Sequence, residues 1–382
     1  MLGGGLFHSF RYLWMFLTKG HRLGSDFLAV SNRRFCNGPD KVIGWWRGYP
    51  SYYLLVPPLF SKPAMNSMVT RMMSLYQWRK LPDLVGIGVC EDCNLSCEFC
   101  SARSMRQDSA RPLTTAELKS VIAEAQALGV STINLVGGEP LLRSDLEDLV
   151  ASVDPDRSQV ILFTNGTGLA ARARSLRKAG LVSVIVAVDA ADPAEHDRRK
   201  GESGVFAKAV EGIAVARKEK LLVGISTVAR PGDLESGALT RVFDLGKSLG
   251  VNQILVFDAV AGEGQSVRAF SPVELRALVD LCAAYHRKKD YPGIHAYAYS
   301  KSPEGLGCGG GVSHFYVSPR GRVCPCDFDP DGVGNVREAS LFELWDRFNA
   351  KGITCSSLRG CRRQTTLIEG PIVPGVGKGL RP

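Results

Sequence analysis

The feature that most constrains the fold of this chain is a regular alternation of apolar and amphipathic segments that begins at Leu84. Six apolar, β-branched runs predict buried parallel strands, at Leu84–Val89, Thr132–Val136, Gln159–Thr164, Val182–Val188, Leu221–Val228 and Asn252–Phe257. A helical pattern follows each run, at Thr115–Leu128, Asp145–Ser152, Leu169–Ala179, Val205–Lys218, Gly237–Leu249 and Pro272–Lys288. This order predicts a parallel α/β sheet with right-handed crossovers. The periodicity leaves open whether the sheet is open, doubly wound or curled into a partial barrel.

The segments on either side of this alternation differ from it in composition. Residues 1–80 contain eleven Lys and Arg and two acidic residues, a net charge of +9 that equals the formal charge of the whole chain. Residues 301–334 are rich in Gly, Pro and Cys and lack periodicity, which predicts a small domain organised by something other than a hydrophobic core. The predicted division is an N-terminal basic and aromatic extension, an α/β domain, a small C-terminal domain and a tail, at residues 1–80, 81–290, 291–365 and 366–382.

Eleven cysteines are many for a 382-residue chain, and their clustering favours metal binding over disulfides. Cys93, Cys97 and Cys100 follow the first predicted strand with the spacing C-x3-C-x2-C. Cysteine thiolates are the usual ligands of iron–sulfur clusters, and three ligands on a four-iron cube leave one iron open to bind a further molecule. Cys90 extends the run to four cysteines, so a zinc site remains an alternative, with Cys90 either a fourth ligand or a buried thiol.

The position of this cluster favours iron–sulfur chemistry. In a parallel α/β sheet, binding sites form at the carboxyl ends of the strands. Gly137, Gly138, Glu139 and Pro140 follow the second predicted strand in the same relative place as the cysteines follow the first. Glycines allow close approach of the backbone to a ligand, and Glu139 offers an acceptor for an ammonium group.

The order of these motifs resembles that of the radical S-adenosylmethionine (SAM) superfamily, over about residues 84–290. The resemblance implies a partial (β/α)6 barrel, a 4Fe–4S cluster on Cys93, Cys97 and Cys100, and Phe99 near the adenine of SAM. It also implies SAM-binding positions after strands two, three and four, at Gly137, Gly138, Glu139, Pro140, Thr164, Asn165 and Asp189. The run from His196 to Gly201 is similar to an HD-x-x-R-G run in many members, with Lys200 in place of the arginine.

The C-terminal cysteines resemble the SPASM/twitch extension of the same superfamily. The pattern Cys308-x12-Gly321-x4-Cys326 carries this resemblance, with the segments 334–336 and 341–345 after it. It implies an auxiliary 4Fe–4S cluster whose candidate ligands are Cys308, Cys326, Cys355 and Cys361. Cys324 is a fifth candidate, and a zinc-stapled domain is the alternative. Asp327 stands where sulfatase-maturing relatives place a carboxylate proposed to take a substrate proton, although a turn residue beside the cluster is equally consistent with the sequence.

The resemblance implies an oxidoreductase or transferase that reductively cleaves SAM to a 5′-deoxyadenosyl radical, which abstracts hydrogen from a substrate. An electron donor such as ferredoxin or flavodoxin is then expected. Two substrate classes remain open: a lipid or other membrane-associated hydrophobic molecule, and a peptide or protein. A zinc-binding structural or interaction protein is the alternative of another class.

The N-terminal extension favours a lipid surface over nucleic acid, because large apolar residues interleave its basic ones. The apolar run from Leu6 to Leu17 is too short to span a bilayer. Further along, apolar residues recur at helical spacing, at Met65, Met68, Val69, Met72, Met73 and Tyr76. This amphipathic helix either packs under the open side of the barrel or makes a monotopic membrane contact. We expect a cytoplasmic protein, and the second interpretation of this helix would make it peripheral on the membrane.

Overall fold

The computed structural model describes residues 41–76, 80–100, 102, 110–259, 268–301, 308–329 and 331–351. Its strands are β1 (Gly44–Trp46), β2 (Tyr49–Ser51), β3 (Leu84–Cys90), β4 (Thr132–Gly137), β5 (Gln159–Thr164), β6 (Ser183–Ala187), β7 (Leu222–Ala229), β8 (Gln253–Asp258), β9 (Gly293–Ala296), β10 (His314–Val317), β11 (Arg322–Cys324) and β12 (Gly334–Asn335). Its α-helices are α1 (Lys62–Tyr76), α2 (Thr115–Ala127), α3 (Leu146–Ala151), α4 (Leu169–Ala179), α5 (Pro193–Lys200), α6 (Val205–Lys218), α7 (Pro231–Glu235), α8 (Ala238–Ser248), α9 (Pro272–His286), α10 (Tyr297–Lys301) and α11 (Leu341–Lys351).

The predicted α/β fold is confirmed. The six predicted strands are β3 to β8, which lie side by side in sequence order and pair in parallel. The sheet extends further on both sides: β9 adds a seventh parallel strand next to β8, and β10 pairs in parallel with β3. The hairpin β11–β12 continues that edge with antiparallel pairing, so ten strands form one mostly parallel sheet.

The two faces of this sheet have different cover. Along β5, Val160 and Leu162 belong to the main core with the helices, whereas Ile161 belongs to a second cluster on the opposite face. That second cluster contains residues from the segment before β3, including Trp46 and Leu54. Because the helices of the described residues cover one face only, the sheet is not doubly wound, and its other face lines a lumen, as in the partial barrel that the resemblance implied.

Residues 41–76, here called the cap, close the lumen at the amino ends of the strands. The backbone N–H of Leu54 donates to the Gln253 side chain at 2.7 Å, and the Gln159 amide donates to the Leu54 carbonyl at 3.2 Å. The Asn252 amide donates to the carbonyl of Ile43 at 2.8 Å. Each of these barrel residues lies at or just before the start of its strand. The cap is therefore at the end of the barrel opposite the carboxyl ends.

Helix α1 confirms the predicted helix, but its polar side faces the barrel. Asn66 donates to the carbonyl of Asp156 at 2.9 Å, and Thr70 donates to the carbonyl of Gly129 at 3.1 Å. Arg71 forms an ion pair with Asp83 at 2.8 Å. The apolar stripe is exposed instead. None of the helices in the described ranges is long and apolar enough to cross a membrane, and the run from Leu6 to Leu17 lies outside those ranges.

The C-terminal segment shares the core of the barrel. Phe315, Trp345 and Phe348 are almost fully buried and belong to the main hydrophobic cluster. The Trp345 indole N–H also donates to the carbonyl of Lys80 at 2.8 Å. The segment of residues 301–334, in which no hydrophobic core was expected, thus contributes Phe315, Val317, Val323 and Val333 to the core of the barrel. Its periodicity was hidden because β10, β11 and β12 are only two to four residues long.

Candidate active site

The candidate site lies where the loops after β3, β4, β5 and β6 meet. The loop after β4 is bonded directly to the loop after β3: the N–H of Gly138 donates to the carbonyl of Cys90 at 2.9 Å, and that of Glu139 to the carbonyl of Asp92 at 2.7 Å. A Cβ on Gly138 would lie 2.2 Å from the Asp92 carbonyl oxygen. This glycine is therefore required by contact between the two loops, a reason that the sequence alone did not indicate.

Glu139 is a buried acceptor that three protein groups already orient. Thr164 donates to its carboxylate at 2.6 Å, the N–H of Asn165 at 2.7 Å and the N–H of Leu141 at 3.0 Å. Burial raises the pKa of Glu139 in spite of these bonds. A carboxylate has about four acceptor positions, so one remains for a further donor such as an ammonium group.

Asn94 links the cysteine loop to the loop after β5. Its side-chain oxygen accepts from the Asn165 amide at 2.9 Å, and its amide donates to Thr167 at 3.0 Å. Asn165 in turn accepts from the hydroxyl of Thr167 at 2.7 Å. This ring of polar contacts fixes the cysteine loop relative to the predicted SAM-binding residues. Asn94 and Thr167 were not identified from the sequence, because neither belongs to a motif.

Asp189, at the end of β6, forms a buried ion pair with Lys200 at 2.6 Å. Burial alone would raise the pKa of Asp189, but the Lys200 ammonium holds it below its usual value. Burial likewise opposes the charge of Lys200, while Asp189 and the Cys97 thiolate raise its pKa. Burial lowers the pKa of His196 to about 4, and its neutral Nδ1 accepts the backbone N–H of Asp189 at 3.2 Å. Lys200 thus holds a carboxylate of the protein itself.

Helix α5 supports the cysteine loop from the side, and it was missed in the sequence because it is almost entirely polar. Its Asp192 N-cap accepts from the N–H of Glu195 at 2.8 Å, and Pro193 occupies the first turn. At its other end, the carbonyl of Lys200 accepts from the N–H of Ser96 at 3.2 Å, and that of Arg199 from Glu98 at 3.0 Å. The loop is therefore held by the last turn of this helix.

Phe99, predicted to lie near the adenine of SAM, is covered on its ring by a cation. The Arg230 guanidinium lies 5.4 Å from the ring centroid. Arg230 is positioned by Glu195 at 2.9 Å. The loop that carries Phe99 is therefore attached to α7 as well as to α5.

Cys93, Cys97 and Cys100 are half-buried thiols that interact electrostatically. Burial raises the pKa of Cys97, Lys200 acts in the opposite direction, and Cys93 and Cys100 add to the increase. Burial raises the pKa of Cys90 to about 11. Within the part of the chain that the structure describes, no three His, Cys, Asp or Glu side chains are arranged around a single metal ion. Three thiols that interact with one another beside a lysine ammonium are suited to an iron–sulfur cluster, in which each thiolate binds a different iron atom.

In the C-terminal segment, Cys308, Cys324 and Cys326 are all buried. The loop of Cys308 lies against that of Cys326, because a Cβ on Gly310 would be 3.6 Å from the Cys308 sulfur and 3.3 Å from the carbonyl of Pro325. Cys355 and Cys361 lie outside the described residues.

Cys324 and Asp327 both lie near Tyr316 on β10, a buried residue whose pKa is raised by burial and further by these two groups. Cys90 and Glu91 act on the same hydroxyl. A Cβ on Gly88 of β3 would lie 2.4 Å from it, so this glycine makes room for the tyrosine. Arg320 completes the link by pairing with Glu91 at 2.6 Å. The auxiliary segment therefore lies directly beside the cysteine loop.

The strand positions that the structure describes around the lumen are uncharged near the carboxyl ends. Side chains alternate along each strand, so one face of β4 to β8 points into the lumen. Six half-buried residues line it near the carboxyl ends, namely Val136, Phe163, Ala187, Ser226, Val228 and Phe257. None of these positions carries a charge. Deeper in the lumen, the buried amide oxygen of Asn134 has no hydrogen-bond partner among the described residues.

The fold and this site define an α/β enzyme with a thiolate cluster at the carboxyl ends of its strands. A model of the radical SAM superfamily matches residues 87–237, and a model of the SPASM iron–sulfur cluster-binding domain matches residues 308–364. The chain is 30% identical over 289 residues to the AdoMet-dependent heme synthase of Methanosarcina barkeri, covering 69% of this chain and 82% of that protein. It therefore belongs to the radical SAM superfamily.

Other relatives carry different activities in their names. The chain is 30% identical to a probable GTP 3′,8-cyclase of Aeropyrum pernix, covering 79% of this chain and 91% of that protein. It is 29% identical to the PqqA peptide cyclase of Rhizobium meliloti, covering 68% and 72%. Its fold is similar to that of Streptococcus suis SuiB bound to the precursor peptide SuiA, with a TM-score of 0.60 and 14% identity over 74% of this chain and 69% of that one.

As a member of this family, the chain is an enzyme that uses SAM and a 4Fe–4S cluster. Its SPASM domain binds auxiliary iron–sulfur clusters. The family predicted from the order of the motifs is confirmed. The names of the relatives differ in substrate, so they do not assign one to this chain.

Proposed function

We propose that this enzyme abstracts a hydrogen atom from an uncharged, mainly apolar group of a peptide or protein. The observation that carries this proposal is the lumen, whose six half-buried positions near the carboxyl ends bear no charge. A polyphosphate or polycarboxylate substrate would require cationic partners. The buried lysine nearest to the site, Lys200, is already paired with Asp189.

In this proposal Cys93, Cys97 and Cys100 hold the 4Fe–4S cluster, and the free acceptor position of Glu139 takes the amino group of SAM. The bound cluster and SAM supply a 5′-deoxyadenosyl radical, which is the difficult chemistry. Thr164 and Asn165 orient Glu139. Gly138 holds the SAM-binding segment against the cysteine loop, and the apolar lumen excludes water from the radical.

The auxiliary cluster in this proposal is held by Cys308, Cys326, Cys355 and Cys361. Cys308 and Cys326 are buried on adjacent loops, next to the segment that contacts Glu91. This proximity supports a role in accepting an electron from the product radical or in holding the substrate. Asp327 is proposed to take a substrate proton, and ferredoxin or flavodoxin to supply the reducing electron.

A peptide substrate is favoured over a lipid by where the apolar surface lies. The exposed apolar residues of the cap are at the amino ends of the strands, whereas the predicted SAM-binding residues are at the carboxyl ends. The cap therefore gives no support to a lipid substrate. The PqqA peptide cyclase and SuiB show that this superfamily and this fold include proteins associated by name with peptides.

Deuterium transfer can assign the substrate class before any individual substrate is identified. Cells that produce the protein are grown in deuterated medium, and their extract is divided into peptide and protein, lipid, and small polar fractions. We expect only the peptide and protein fraction to transfer deuterium into 5′-deoxyadenosine, detected by mass spectrometry, and protease treatment to abolish the transfer. Transfer from the lipid or small polar fraction alone would refute the proposed substrate class.

A further inference from the structure

The exposed large apolar side chains of the described residues are concentrated in the cap. Eight of the eleven lie there, namely Val42, Trp45, Tyr49, Phe60, Met65, Val69, Met72 and Met73. The other three, Leu142, Val273 and Phe342, lie in separate elements. Single exposed apolar residues are common on protein surfaces, but a group of this size at one end of a molecule marks an interaction surface.

The exposure of the apolar side of helix α1 does not result from a lack of contacts between this helix and the barrel. The helix is already attached through Asn66, Thr70 and Arg71, which bond to the starts of three neighbouring strands. Its side chains Val69 and Met73 are then 54% and 40% exposed. The apolar stripe is therefore available to something outside the barrel.

The charge of the cap indicates the chemistry of its partner. Residues 41–76 contain no acidic residue and four basic residues, Lys41, Arg47, Lys62 and Arg71. Lys62 and Arg71 are paired with Asp156 and Asp83, which leaves a net charge of +2 (four minus two) on the cap. Residues 1–40 add five more Lys and Arg against two acids. Lys41 is anchored at this end by donating to the carbonyl of Lys288 at 2.8 Å. Like charges disfavour both a second copy of the cap and the basic N-terminal segment as its cover.

We propose that the cap is a docking surface for an anionic lipid bilayer. The exposed stripe of α1 enters the boundary between headgroups and acyl chains, with Trp45 and Tyr49 at the interface and the exposed Arg47 against lipid phosphates. Phe60, which is 62% exposed, adds a further apolar contact. Docking by this end directs the carboxyl ends of the strands, and hence the site, away from the bilayer.

The test uses full-length protein and vesicles of phosphatidylcholine with about a third phosphatidylglycerol. We expect wild type to sediment with these vesicles and less with phosphatidylcholine alone. Val69→Glu with Met73→Glu should lower the partition coefficient by about tenfold or more, because two charges enter the apolar stripe. Val69→Ser with Met73→Ser should lower it as well, without any change of charge.

The matched control is Val273→Glu with Ala277→Glu, two exposed positions with the same spacing on α9. It introduces the same charge far from the cap and should bind vesicles like wild type. SAM cleavage should be unchanged in every variant, which verifies the fold. Vesicle binding that is equal in wild type and both cap variants would overturn the proposal, as would a wild type that ignores vesicles. Self-association that the cap variants abolish would assign the surface to a second copy instead.

Discussion

Glu139 and Asp189 are both buried carboxylates at strand ends, yet their pKa values move in opposite directions. Burial raises the pKa of Glu139, whereas the Lys200 ammonium, bonded at 2.6 Å, lowers that of Asp189 overall. The difference is the presence of a bonded cation. Glu139 is bonded only to neutral donors, so it is the residue whose charge an incoming ammonium group would stabilise most.

The first prediction is that the affinity for SAM decreases as the pH falls through the raised pKa of Glu139. A protonated carboxyl cannot pair with the amino group of SAM, so the affinity is greatest above that pKa. Glu139→Gln should weaken binding by about 10- to 100-fold, equivalent to about 1.5–3 kcal/mol, and should remove this pH dependence. Calorimetric titration of cluster-loaded protein measures both effects. Glu211→Gln, an exposed change on α6, should keep the profile of wild type, and a Glu139→Gln titration identical to wild type would exclude this role.

The second prediction concerns the pair of Asp189 and Lys200. Lys200→Met should destabilise the cluster-loaded protein by about 3–5 kcal/mol, because it leaves Asp189 buried without its cation. Adding Asp189→Asn should recover part of the loss, which a double-mutant cycle in urea measures. The exposed pair Lys247 and Asp290 provides the comparison and should show no measurable coupling. If the effects of the single changes at Asp189 and Lys200 on the free energy of unfolding were additive, the two residues would not form a coupled ion pair.

At the scale of single residues, the sequence predicted the site residues that belong to motifs. It did not predict the residues that position those site residues. Glu139 and the cysteines were identified by type and spacing. The contacts of Asn94 with Asn165 and Thr167 join loops about 70 residues apart, and no local pattern indicates such a bond. The role of Lys200 could not be derived either, because its partner is set by how α5 packs on β6.

At the scale of secondary-structure elements, α5 shows why a polar helix is not recognised from hydrophobic periodicity. The segment carries no apolar period, and its helix is specified by an N-cap and a proline at its start and a glycine at its end. Gly201 ends the helix at φ 71° and lies against the cysteine loop. A Cβ there would be 2.3 Å from the Ser96 hydroxyl oxygen and 3.1 Å from its carbonyl oxygen.

The third prediction is that Gly201→Ala lowers the iron content of the protein, because the added methyl displaces the cysteine loop. Gly204→Ala is a matched control: Gly204 has φ 77°, and a Cβ there would have no neighbour within 4 Å. Both changes carry the same left-handed backbone cost, about 1–2 kcal/mol. The iron content of the two purified variants is compared. A lower iron content in Gly201→Ala than in Gly204→Ala is then due to displacement of the cysteine loop and not to the backbone cost that both variants share. Equal iron contents would show that α5 does not position the loop.

Helix α1 illustrates a different limit of sequence analysis at the same scale. Its apolar spacing correctly predicted a helix, because periodicity reports the local conformation. The sequence left open whether the apolar stripe packs under the barrel or faces outward, and in the structure it faces outward. Hydrogen bonds to carbonyls at the strand starts, such as that of Thr70 with Gly129, direct the polar side inward.

For the whole molecule, the order of six long apolar runs was enough to predict β3 to β8, because strands in a parallel sheet are buried on both faces. The ends of the sheet were not predicted. Strand β9 has four residues and β12 has two, too few for a period to be recognised. Their places depend on pairing with strands far away in the sequence, such as β10 with β3.

The fourth prediction concerns the auxiliary cluster. Changing Cys308, Cys326, Cys355 and Cys361 together to Ala should reduce the iron of reconstituted protein from about eight to about four atoms per chain. The variant should still cleave SAM slowly but should not complete turnover. Because Trp345 and Phe348 anchor this segment in the main core, we expect the variant to remain folded. Wild type with about four irons and one zinc would show that the segment holds zinc.

The central claim is that Cys93, Cys97 and Cys100 hold the cluster that cleaves SAM. Its most direct test measures iron and 5′-deoxyadenosine together in anaerobically reduced wild type, in the triple Cys-to-Ala variant and in Cys90→Ala. We predict that the triple variant loses about four irons per chain and all 5′-deoxyadenosine. Cys90→Ala should keep both, because Cys90 lies in strand β3 and its thiol donates to the carbonyl of Asp92. Cleavage of SAM by the triple variant, or an equal loss in Cys90→Ala, would contradict the account.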